Sequence, residues 1–101
     1  MKDLKAPRMP KTLDAPVALI TGASSGIGSA LAEEYAARGY NLALVARRLD
    51  RLEILSTKIR EKIPTCLVHC LKADVCEESE MNEAVELLVA RFGRLAVVIA
   101  N

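Results

Sequence analysis

The chain has 101 residues and a formal net charge of +1, with 51% hydrophobic but only 3% aromatic residues. That length supports one domain at most, built on an aliphatic core. The near-neutral charge excludes a nucleic-acid footprint or an anionic-membrane patch resting on bulk charge, and no apolar run approaches the ~18 residues of a membrane span.

Residues 1–15 are basic and proline-bearing but lack an apolar stretch. They read as a flexible arm, and neither as a secretory signal nor as a transit peptide; the folded part is expected over residues 16–101. Val17 to Ile20 form a short apolar run typical of a buried strand. Three glycines follow, Gly22, Gly26 and Gly28, in the spacing Gly-x-x-x-Gly-x-Gly. From there Ile27, Leu31 and Tyr35 predict one face of a helix that stops at Gly39. Tyr40 to Ala46 reads as a second strand. In the next segment Leu52, Leu55, Ile59 and Ile63 share a helical stripe that Pro64 ends. Asp50 and Glu53 have the spacing of an acidic capping pair at its start. Residues 65–72 predict a third strand and 73–79 a loop. Residues 80–93 predict a third helix, with Met81, Ala84, Val85, Leu88, Val89 and Phe92 inward and Gly93 at its end. Residues 95–100 predict a fourth strand, with Leu95, Val97 and Ile99 on one face and Ala96, Val98 and Ala100 on the other. The chain stops at Asn101.

Cys66, Cys70 and Cys76 make an odd count that suits a reducing compartment, here the cytoplasm, and not a disulfide framework. His69 adds a fourth metal-type ligand nearby. Alternation along a strand points it away from Cys66 and Cys70, themselves about 13 Å apart, so no metal site is expected.

The β-α-β-α-β-α-β alternation, with strands apolar on both faces, predicts an α/β fold whose parallel sheet is covered on each side. Right-handed crossovers then favour a Rossmann-type doubly wound sheet of strand order 3-2-1-4, truncated after the fourth strand. Ligands bind such sheets beyond the C-terminal strand ends. The glycine turn, the loop after the second strand, Asp74 and Asn101 all fall at that edge. A glycine-lined turn at a helix start admits a phosphate to unpaired N–H groups; the glycines alone also permit a tight turn without a ligand. No Gly-Lys-Ser/Thr end is present, which excludes a P-loop NTPase.

The segment Thr21–Gly28 (TGASSGIG) resembles the cofactor motif of the short-chain dehydrogenase/reductase family. LVARRLDRLE (44–53), ADV (73–75) and FGRLAVVIAN (92–101) resemble that family's next landmarks in order, so the likeness runs from about Val17 to the last residue. The resemblance implies that Gly22, Ser24, Ser25, Gly26, Ile27 and Gly28 wrap a pyrophosphate and its ribose. It implies that Asp74 accepts from the adenine amino group with Val75 beside the ring, and that Asn101 lies near the cofactor. Bland alternatives stand beside these: Ser24 and Ser25 as turn formers, Asp74 as a loop residue. Ala96 and Ala100 depart from the family's frequent aspartate and asparagine.

Cofactor choice in dinucleotide folds is decided at the end of the second strand, where an acid favours NAD and an arginine accepts a 2′-phosphate. Here that position reads Ala46-Arg47-Arg48. Arg47 is placed for the phosphate, with Arg48 adding charge or stacking on adenine, so NADP(H) is expected over NAD(H). The resemblance therefore implies the NADP(H)-binding portion of an oxidoreductase moving hydride between a nicotinamide and a carbonyl/alcohol substrate. The family's Ser and Tyr-x-x-x-Lys set is absent. Tyr35 and Tyr40 are the only tyrosines, neither has a lysine four residues on, and no catalytic residue is assigned. A small-molecule substrate is expected only in a complete chain. The alternatives are a non-catalytic nucleotide- or partner-binding module and a non-functional gene fragment. The uncovered last strand is expected to promote self-association.

Overall fold

Every side chain of β1 (Val17–Thr21) and β2 (Asn41–Ala46) is buried, although neighbouring residues on a strand face opposite ways. Such strands require cover on both sides. The computed structural model, which describes residues 15–93 and 95–100, supplies it. Residues 1–14 of the expected arm (1–15), Arg94 and Asn101 lie outside the described residues. The remaining elements are α1 (Gly26–Ala37), α2 (Leu49–Lys62), β3 (Val68–Lys72), α3 (Glu78–Phe92) and β4 (Val97–Ile99), in strict alternation. All three strand pairings are parallel, and the order is β3-β2-β1-β4, as the alternation predicts.

The two sheet faces carry separate cores. Ala18, Ile20, Leu42 and Leu44 pack with Ala32 and Ala36 of α1 and Leu52 and Ile59 of α2. Val17, Leu19, Ala43 and Val45 pack instead with Ala84 and Leu88 of α3. The third crossover thus passes over the opposite face from the first two. On the outer surface Glu33 of α1 lies 3.4 Å from Lys58 and 3.5 Å from Lys62 of α2.

The structure corrects several finer expectations. The buried face of α1 is Gly28, Ala32 and Ala36, not Ile27, Leu31 and Tyr35. Leu31 and Tyr35 flank the core half-buried, while Ile27 is 70% exposed. The small residues face the sheet along the line of closest approach, and the bulkier ones take the sides. On α3 the expected inner face holds except at Val89, which is 39% exposed. The third strand begins at Val68, so Cys66 precedes it. The fourth covers only Val97–Ile99, after a bend at Ala96. Leu95 therefore packs into the α3-side core, while Val97 and Ile99 pack on the other face. Val98, on this edge strand, is 62% exposed.

Two consequences are measurable. Ala32→Leu should lower stability by about 1–3 kcal/mol through overpacking, whereas Ile27→Ala should change it by less than about 0.5 kcal/mol. Urea titration of both variants decides between the observed face and the expected one; a larger loss for Ile27→Ala refutes the packing described. The second concerns Cys66, whose buried thiol donates to the Tyr40 carbonyl at 3.2 Å. Burial pushes its pKa from 9.0 to about 11, against a smaller opposing pull from the Arg60 charge. The unfolded chain gives up this proton first, so the contribution is intact below pH 9 and lost between about pH 9 and 11. Urea midpoints should fall across that window, and Cys66→Ala should flatten the fall; an unchanged slope refutes the assignment.

Candidate functional site

Parallel strands bring the loops after β1, β2 and β3 to one edge of the sheet. The first loop turns at Gly22, where φ is +63°, a conformation that costs a residue with a Cβ. Gly22 N–H donates to Val45 O at 2.9 Å, anchoring the turn to β2. Its carbonyl accepts from Ser25 twice, from the backbone N–H at 3.2 Å and from the hydroxyl at 2.9 Å. Ser25 Oγ in turn accepts from Gly28 N–H at 3.4 Å and caps α1. The hydroxyl therefore shapes the loop from inside.

Gly26 differs. A Cβ built there would meet nothing within 4 Å. Nothing in the packing of the described residues excludes a side chain at this position. Its lack of one leaves a clear approach to the start of α1, where N–H groups and the helix dipole favour an anion.

The second loop presents Arg47 and Arg48, both exposed. Arg48 is the N-cap residue of α2 and makes no side-chain capping bond. Its guanidinium instead donates to Asp50, Nη2 to Oδ2 at 3.3 Å and Nε to Oδ1 at 3.4 Å. The expected acidic cap formed by Asp50 and Glu53 is not built. Asp50 sits inside the first turn, where a cation two residues away competes for its carboxylate. That guanidinium holds the Asp50 carboxyl below its ordinary pKa. Arg47 makes no ion pair among the described residues.

The third loop is fixed by its own chain. Ala73 N–H donates to Ala46 O at 3.1 Å. Asp74 Oδ1 accepts from Cys76 N–H at 2.9 Å, and Asp74 N–H donates to Glu80 Oε1 at 2.8 Å. Asp74 thus forms the turn into α3 with one carboxylate oxygen and leaves the other oxygen for a further donor.

These three loops enclose an open cavity of ≈ 920 Å³, at the upper end of the roughly 300–1,000 Å³ common for small-molecule and cofactor clefts. It gathers Gly22, Ser24 and Ser25 on one side, Arg47 and Arg48 on the second, and Asp74 and Val75 on the third. Gly26, Ile27 and Gly28 belong to the first turn of α1 and do not line it, and Asn101 lies outside the described residues. Arg51 and Cys76 also line the cavity and were not anticipated. For Arg51 the available signal was its place three residues after Arg48, a spacing that shares a helix face. For Cys76 no signal was available.

Cys66, His69 and Cys70 do not line the cavity. Cys70 Sγ donates to Leu52 O at 3.5 Å on the α2 side. His69 stands edge-on to Phe92 of α3, centroids 6.4 Å apart. Burial, and then the Arg91 charge, push its pKa down. Among the described residues no group of three or more metal-type ligands converges. No helix among them is long and apolar enough to cross a membrane.

The family model described as short chain dehydrogenase matches residues 16–101. The chain belongs to the short-chain dehydrogenase family. It is 44% identical over 85 residues to 11-beta-hydroxysteroid dehydrogenase-like 4A of Arabidopsis thaliana, covering 84% of this chain and 28% of that protein. It is 39% identical over 82 residues to sulfoacetaldehyde reductase of Chromohalobacter salexigens, covering 81% of this chain and 31% of that protein. Among solved structures it resembles YwfH, an NADPH-dependent reductase involved in bacilysin biosynthesis, with a TM-score of 0.84 and 31% identity over 87% of this chain and 35% of that one. L-sorbose reductase from Gluconobacter frateurii, solved with NADPH and L-sorbose, matches with a TM-score of 0.78 and 37% identity over 83% of this chain and 32% of that one. The short-chain dehydrogenase chain thus spans about a third or less of these relatives' lengths.

Gly22 in the loop and Gly26 at the start of α1 make opposite demands on stability, which a pair of variants separates. Gly22→Ala should cost about 1–2 kcal/mol for its left-handed backbone. Gly26→Ala should leave the urea midpoint unchanged or slightly raised while weakening adenine-nucleotide binding. Wild-type binding by Gly26→Ala, or a destabilisation matching that of Gly22→Ala, would count against an approach role for Gly26.

Proposed function

We propose that this segment holds NADP(H) for a short-chain oxidoreductase acting on a carbonyl/alcohol substrate. The observation that carries the reading is the arginine wall of the cavity beside a glycine turn whose Gly26 is open to approach. Solved relatives described as NADPH complexes, including the L-sorbose reductase and an actinorhodin polyketide ketoreductase, support it.

In this reading the pyrophosphate lies over the turn from Gly22 to Gly28, with Ser24, Ser25, Gly26 and Ile27 around it. Helix α1 offers its N-terminal dipole there. Asp74 accepts the adenine amino group through the oxygen not used in its turn, and Val75, 45% exposed, lies against the ring. The family resemblance adds Asn101 to the residues assigned to the cofactor. Arg47, at the end of β2, takes the ribose 2′-phosphate through charge-assisted bonds. Arg48 lies along the adenosine.

The bound nicotinamide supplies the hydride chemistry. This segment's residues bind and orient; proton transfer at the substrate belongs to the remainder of a complete enzyme. Tyr35 and Tyr40 support that division. Their rings pack edge-to-face at 4.9 Å, beside the start of β2, at the sheet end opposite the cavity.

Hydrogen bonds to charged groups contribute roughly 1.5–3 kcal/mol, so Arg47→Ala in the full chain should weaken NADPH binding by about 10- to 100-fold. NADH affinity should stay near its starting value. Equal losses for both cofactors, or a wild-type preference for NADH, would overturn this assignment.

A further inference from the structure

We propose that Arg51, with Arg47, forms the 2′-phosphate subsite, and that Asp50 withdraws Arg48 from that task and makes it a platform for the adenosine. The proposal rests on the NADP(H) reading above and assigns its charges differently from the sequence alone, which pointed to Arg47 and Arg48.

Three arginines line the cavity. Arg48 is already engaged, since both Nη2 and Nε face the Asp50 carboxylate. That exposed pair adds little to stability, but it sets a carboxylate against the Arg48 charge and leaves the pair locally neutral. Arg47 and Arg51 have no ion-pair partner among the described residues. Together they carry two positive charges, which match the roughly −1.5 to −2 of a phosphomonoester near neutral pH.

Position agrees with charge. Arg51 is the third residue of α2, counting from Leu49. Helical side chains lean toward the N-terminus, so its long side chain extends back toward the loop that carries Arg47. Both guanidinium groups have the planar fork suited to phosphate oxygens. A 2′-phosphate between them also lies at the positive end of the α2 dipole. The Arg48 guanidinium, paired edge-on with Asp50 through Nε and Nη2, offers a flat face on which an adenine can stack.

The test is calorimetric titration of the full chain with adenosine 2′,5′-bisphosphate and with 5′-AMP, which differ only in the 2′-phosphate. Arg51→Gln should weaken the bisphosphate about tenfold and leave 5′-AMP unchanged, and Arg51→Lys should restore part of the loss. Arg48→Gln should weaken both ligands by the same factor. Asp50→Asn should free Arg48 and change the ratio of the two affinities in favour of the bisphosphate. Arg51 is exposed, so thermal melts matching wild type are expected and confirm that folding is not the cause. An unchanged bisphosphate affinity in Arg51→Gln, equal losses for both ligands in that variant, or a bisphosphate-selective loss in Arg48→Gln overturns the proposal while the NADP(H) reading stands. A wild-type chain that fails to prefer the bisphosphate overturns both.

Discussion

Burial of β1 and β2 on both faces is the constraint from which the rest of this structure follows. Leu19 and Ile20 are adjacent in sequence and both are essentially inaccessible to water, so each needs apolar cover on its own side of the sheet. Two helices on one face and one on the other provide it. A helix between each pair of strands returns the chain to the same starting edge, which makes the pairing parallel and places every strand's C-terminal end together. The cavity exists because of that. No loop has to reach for it; the hydrophobic requirement of the core brings the three loops to one place.

The loops themselves obey a different rule. They are held by hydrogen bonds to their own backbone and to the strand ends, through Gly22 to Val45 and through Ala73 to Ala46. The turn hydroxyl of Ser25 and the carboxylate of Asp74 each satisfy backbone N–H groups before any ligand is considered. A site prepared in this way loses little conformational freedom when it is filled. Asp74 builds its turn with one carboxylate oxygen and keeps the other for a further donor, which is why the loop-former and ligand-holder readings of that residue are compatible.

The fold was legible because its signal is coarse. Apolar runs on both faces, glycine stops and the alternation of periods determine the strand order without reference to any single contact. The α1 face was misread because periodicity weights large side chains, while Gly28, Ala32 and Ala36 share the same four-residue spacing with less hydrophobic mass. The Asp50 cap failed because α2 opens at Leu49, which puts Asp50 inside the first turn and makes Arg48 the N-cap residue. Leu95 was assigned to the wrong face because one bend at Ala96 reverses the alternation, and nothing in an apolar run announces a bend. In the candidate site, the glycines and the Arg47-Arg48 pair stood out as local motifs. Arg51 did not, because its membership depends on where α2 starts relative to the cavity.

Asn41 lies at the other end of the sheet from all of this. It is buried at the first position of β2, and its Oδ1 accepts from Leu67 N–H at 2.9 Å just before β3 begins. Its own N–H donates to Pro16 O at 2.8 Å on the β1 side. One residue, through its side-chain oxygen and its backbone N–H, thus joins the starts of three consecutive strands. Strand pairing has a side-chain period of two, so a slip by one residue would exchange every side chain between the faces. For β3 that slip would turn His69 toward the aliphatic α2 side and Cys70 toward α3. By locking the register where the strands begin, Asn41 leaves their far ends free to differ in loop length and sequence without disturbing which side chains enter the core.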